Sequence, residues 1–95
     1  MPDILRGRVG TNLLSAAFAI DGVATITVTT AHGLGYAPNN YDVAVTVVEN
    51  TAVDDWTYGF VKITTVDATN VVVKVRVTAA SATPAAKAYI AIKIG

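Results

Sequence analysis

The chain has 95 residues, 53% of them hydrophobic and 15% charged, with seven Lys and Arg against seven Asp and Glu, one His and no Cys. That length supports one core, and so apolar a composition excludes a disordered chain. A net charge of zero excludes the phosphate-neutralising surface of a duplex binder, and one His without Cys excludes an ordinary zinc site within one chain.

Val, Ile and Thr supply 35 of the residues. These β-branched types suit a pleated sheet and lose rotamer freedom in helices. Residues 1–12 hold three charges and two glycines with little periodicity, and read as an arm that either orders against a neighbour in an assembly or stays disordered. Arg6 and Arg8 precede the apolar run 13–20, but that run is short and a strand pattern follows at once, so it reads as an uncleaved segment rather than a leader. No run approaches a membrane span.

The first strand is expected over 13–20. Asp21-Gly22 is a tight-turn dipeptide, which predicts a hairpin into the second strand, where Val23, Thr25, Thr27 and Thr29 alternate with Ala24, Ile26 and Val28. A loop with two glycines and a proline covers 31–40. Val43, Val45 and Val47 then alternate with Asp42, Ala44 and Thr46, and a loop over 49–57 carries Asp54, Asp55 and Trp56. Val61, Ile63 and Thr65 oppose Phe60, Lys62 and Thr64, and Asp67-Ala68-Thr69-Asn70 makes a short turn. Val71, Val73, Val75 and Val77 oppose Val72, Lys74, Arg76 and Thr78. After a loop over 79–86 with Pro84, Ala88, Ile90, Ile92 and Ile94 oppose Lys87, Tyr89, Ala91 and Lys93. Five or six short strands with frequent turns predict one all-β domain over 13–95, an antiparallel sandwich of about six strands with no helix of any length.

The low charge has a second consequence. With so many hydrophobic residues in so small a domain, apolar surface is left outside the monomer core, and such surface marks an interface. A homo-oligomer is therefore expected.

The order of several segments resembles a known group. Thr27-Val28-Thr29-Thr30-Ala31-His32-Gly33-Leu34-Gly35-Tyr36-Ala37-Pro38 is followed by a Val-rich strand. Thr64-Thr65-Val66-Asp67-Ala68-Thr69-Asn70 comes next, and Ala88-Tyr89-Ile90-Ala91-Ile92-Lys93-Ile94-Gly95 closes the chain. Over about residues 22–95 this resembles small β-sandwich modules of tailed-bacteriophage tail, fibre and decoration proteins, which are similar to the H-type lectin domain. The resemblance implies a six-stranded sandwich that assembles as a trimer and does binding or structural work without catalysis. Where the lectin members usually carry Trp near the start of the last strand, this chain has Tyr89.

His32 is the one side chain that ordinarily titrates near neutral pH. It is expected to tie a turn, or with Tyr36 to sit at a subunit junction. No nucleophile motif accompanies it. Asp54 and Asp55 are adjacent, so an extended chain points them apart and they make a poor acid–base pair. With Glu49 and Asp42 they offer calcium-type oxygens, but no known loop spacing, and read as a solvated acidic stretch. Trp56 and Tyr58 beside Asp55 have three open readings: a sugar-binding plate, a partner anchor or a cap on the core. Tyr36, Asn39, Asn40 and Tyr41 form a second polar-aromatic loop. Lys74, Arg76, Lys87 and Lys93 would share one face if the last two strands pair; the wet side of a sandwich is the plainer reading.

Two functions follow as expectations. The first is a non-enzymatic virion subunit of a tailed bacteriophage, bound through oligomeric avidity to a capsid or tail protein. The second is an H-type-lectin-like adhesin for a host-surface carbohydrate, with Trp56, Tyr58 and Asp55 as its site. Neither calls for a metal, a cofactor, nucleic acid or membrane insertion.

Overall fold

The computed structural model describes residues 10–95. Seven strands form two antiparallel sheets: β1 (Thr11–Leu14), β2 (Phe18–Ala19), β3 (Ala24–Ala31), β4 (Val43–Glu49), β5 (Thr57–Val66), β6 (Asn70–Ala79) and β7 (Lys87–Ile94). The expected all-β sandwich is what the chain forms. Its one helical piece is a 3-10 turn at Asn40–Asp42.

Each sheet is built on a central strand. In one, β7 pairs with β4 along one edge, and with β1 and then β2 along the other. In the second, β6 lies between β3 and β5. The two central strands carry the clearest alternation in the sequence, for a physical reason. Each supplies one face to the core, so Val71, Val73, Val75 and Val77 meet Ala88, Ile90, Ile92 and Ile94, all buried. Burying a Val or Ile side chain contributes about 1.5–3 kcal/mol, so these two ladders dominate the stability of the domain.

Three expectations need correction. The first strand is split into β1 and β2. Ser15 interrupts the ladder: its N–H donates to the Ile90 carbonyl at 2.9 Å, and its Oγ accepts the Ile90 N–H at 2.8 Å. A side chain thus takes the place of a backbone acceptor, and the strand kinks without leaving Ile90 unpaired. The Asp21-Gly22 turn does not close a hairpin. It carries the chain from β2 in one sheet to β3 in the other, because the hydrophobic faces of both segments must point at the same core. The last two strands do not pair, so the basic stripe does not exist as one face. Lys74 and Arg76 lie on β6, Lys87 and Lys93 on β7, in separate sheets.

Asp67 to Asn70 does form the expected tight hairpin, between β5 and β6. The Asp67 carboxylate accepts the Thr69 N–H at 2.8 Å and the Asn70 N–H at 2.6 Å. Of the arm expected over 1–12, residues 1–9 lie outside the described residues, and Thr11 and Asn12 belong to β1.

Candidate functional site

The β4–β5 connection brings three candidate side chains together. Trp56 sits just before β5 and is half-buried against the core. Its indole Nε1–H donates to Glu49 Oε2 at 2.5 Å, across the gap between the ends of β4 and β5. The Tyr58 ring centroid lies 5.6 Å away with the planes inclined at 36°. Such a tilted pair contributes beyond its buried area. The three side chains, with Val47 and Thr57, line an open groove of about 500 Å³. Trp56 precedes β5 and Tyr58 lies at its start, where the register with β6 is shifted, and the two rings lie side by side. Glu49 remains exposed, so its carboxylate has lone pairs to spare after accepting the indole bond. Chemically, the groove offers an aromatic plate beside a fixed acceptor.

The expected acid in this group was Asp55, and the structure replaces it with Glu49. Asp55 lies one residue from Trp56 and projects away. Its Oδ2 accepts the Ala82 N–H at 2.8 Å. That bond, followed by one from the Ser81 hydroxyl, holds the Asp55 carboxyl below the usual carboxylate range. Asp55 therefore fastens the 50–56 loop to the 80–86 loop and does not face the groove. No spacing rule points to Glu49, since its partnership with Trp56 spans a loop. Among the described residues no three His, Asp or Glu side chains converge as a metal-binding group.

His32 ties a turn, as one of its two readings held. The imidazole is buried, its Nδ1 accepts the Leu34 N–H at 3.1 Å, and its Nε2 lies 2.7 Å from the Asp67 carbonyl. With Nδ1 accepting, the proton sits on Nε2 and is donated to Asp67. The His32 N–H also donates to the Thr69 carbonyl at 3.0 Å. The imidazole thus clamps the loop after β3 to the β5–β6 hairpin. Gly33 and Gly35 flank the Leu34 contact with φ of 69° and 79°, a conformation that favours glycine. The His-Gly-Leu-Gly and Asp-Ala-Thr-Asn segments are therefore two halves of one clamp. Bonding groups on both sides of the ring serve the turn, and none faces a ligand. Tyr36 lies beyond the clamp and is 60% exposed, as is Tyr41 at 86%, so the second polar-aromatic loop carries its rings in solvent.

Comparison of the chain with family models, with curated proteins and with solved structures finds no match in any of the three.

Proposed function

We propose that this chain is a non-enzymatic structural subunit of a tailed-bacteriophage virion, a capsid decoration or tail accessory protein that works as a homo-oligomer. The virion setting and the trimer rest on the sequence resemblance. Support for assembly comes from the outer face of the β1/β2–β7–β4 sheet. Leu14 is 57% exposed and sits beside Ala91; Val48 is 41% exposed and sits beside Tyr89. Exposed Ala44 extends the same face. Asn12, Lys93 and Thr46 lie on the same face, so its apolar part is the strip formed by Leu14, Ala91, Tyr89 and Val48. A second copy covering that strip would gain its burial free energy. The test is the solution mass of the chain beside a Leu14→Lys/Val48→Lys variant. An oligomer that dissociates in the variant supports the reading. A monomeric parent chain overturns it.

The second reading is an adhesin for host-surface carbohydrate, favoured by the Trp56–Tyr58–Glu49 groove. An aromatic plate covers the apolar face of a sugar, and the carboxylate accepts hydroxyl hydrogen bonds. The Glu49 bond fixes the indole before any ligand arrives, which lowers the ordering cost of binding. Carbohydrate-array binding that is lost in Tyr58→Ala and Glu49→Gln variants of intact fold supports this reading. A blank array from folded protein removes it.

A further inference from the structure

The four sheet edges differ in how they are protected. β5 is broken by register shifts around Gly59 and Thr64 and carries Lys62. The β1/β2 edge is interrupted at Ser15. Bulges, breaks and lysines are the ordinary devices that stop an edge from pairing with another chain. β4 keeps an unbroken register and is neutral until Glu49, but Trp56 and Tyr58 stand beside its end, with the indole bonded to Glu49. β3 has none of these devices. Its eight residues, Ala-Thr-Ile-Thr-Val-Thr-Thr-Ala, contain no charge, no Pro and no Gly, and its register with β6 is continuous from Ala24 to Ala31. Among the described residues nothing pairs with its other edge.

Beside that edge lies an open groove of about 410 Å³, walled by Ala16, Ala17, Phe18 and Ala19 opposite Ile26 and Val28. The alanines leave room there for larger side chains to enter. Thr27 and Thr29, both exposed, also line this groove, and Thr25 is exposed next to them on β3.

The chain itself holds a segment of matching pattern. Leu5, Gly7 and Val9 alternate with Ile4, Arg6 and Arg8. An extended segment with that alternation has one apolar face for the groove and one basic face for solvent. Five residues, 5–9, extend ~17 Å at about 3.4 Å each, which fits within the length of β3. The segment joins the fold at Gly10, against the end of β7. A Cβ there would overlap the Ile94 carbonyl, and its φ is 81°. From Gly10 onward β1 runs along β7 with Thr11 opposite Ile94, so the segment is attached at that end of the sheet.

We propose that residues 5–9 of one copy add as a strand to the free edge of β3 in a neighbouring copy, with Leu5 and Val9 seated in the Phe18 groove. Backbone hydrogen bonds supply the affinity and the groove fixes the register, as in other strand-addition contacts. The proposal rests on the homo-oligomer reading and adds to it the segment and the edge that join the copies.

The chain has no Cys, so introduced pairs report without background. Arg6→Cys or Arg8→Cys chains are mixed with Thr25→Cys, Thr27→Cys or Thr29→Cys chains and oxidised. Thr46→Cys, exposed on β4, serves as the control partner, and circular dichroism checks each fold. Facing residues on neighbouring strands come within disulfide reach. The expected result is a disulfide-linked heterodimer, several-fold above the Thr46 control, in one register of the β3 set. Cross-linking no better than the control overturns the proposal. So does closure within a single chain carrying both cysteines, which would place the segment on its own β3. Light scattering on the same samples separates the two claims: an oligomer without the cross-link sinks the strand addition alone, whereas a monomer sinks the oligomer reading as well.

Discussion

The two lateral seams of this sandwich are built from similar strands and finished differently. Between β4 and β5 the chain lines an open groove with its only Trp, a Tyr and a carboxylate, bonds the indole to that carboxylate, and fastens the intervening loop through Asp55. Between β2 and β3 it leaves alanines, one Phe and an unprotected edge. Lining a seam with a tethered aromatic stabilises the monomer. A neutral strand edge without a partner among the described residues does not, and monomeric proteins ordinarily blunt such an edge. The contrast is between a groove whose aromatic lining is tied down within the chain and a strand edge that, in the proposal above, takes a second copy.

The largest expected effect is on the open side. Phe18 is its one large buried side chain, and Phe18→Ala is expected to cost about 3–5 kcal/mol in urea unfolding, since a nearly dry site cannot collapse around the loss. A cost under about 1 kcal/mol would mean that the groove is loosely packed and offers no defined seat. Trp56→Ala opens the opposite seam. Because the ring is only half-buried, the expected cost is smaller, about 2 kcal/mol, with a rise in hydrogen exchange confined to β4 and the 50–56 loop. Exchange rising equally on β3 would show that the seams are one cooperative unit.

Ser15→Ala comes next. The Ile90 N–H loses its buried acceptor, at about 1–3 kcal/mol, and β2 should fray from β7 while β1 stays paired. Uniform loss of both segments would deny Ser15 its role as the joint. The smallest effect is the acid limb. Hydrogen bonds hold the Asp55 and Asp67 carboxyls below their ordinary values, so the stability they add is complete at neutral pH and is lost as pH falls below about 4, through their folded values. Asp55→Asn should flatten part of that slope and loosen the Trp56 loop. A slope unchanged in both Asp55→Asn and Asp67→Asn would place the acid sensitivity elsewhere.

The sandwich was legible because its two central strands see one core face each, and period-2 alternation survives there undisturbed. The Asp67 turn was legible for the same local reason, its side chain bonding within four residues. What the sequence hid was non-local. The Ser15 joint depends on a partner 75 residues away. The destination of the chain after Asp21-Gly22 depends on which sheet needs the next strand, and a turn dipeptide does not encode that. In the candidate site, Trp56 and Tyr58 were readable as a pair because they lie two apart in the sequence beside the acidic loop. Glu49 was not, because its contact with Trp56 spans the β4–β5 loop, whereas Asp55 is next to Trp56 in sequence. His32 was visible as a singular residue beside two glycines, while its partner turn became apparent only in three dimensions.

The contrast between the seams is tested most directly by residue-resolved hydrogen exchange on the full chain at rising protein concentration. The alternate amides of β3 that do not bond to β6 should gain protection as copies associate, while those of β4 beside Trp56 hold a constant rate. Outer β3 amides that exchange equally fast at every concentration, or β4 amides that gain as much as they do, would contradict the assignment of the open seam to a second copy.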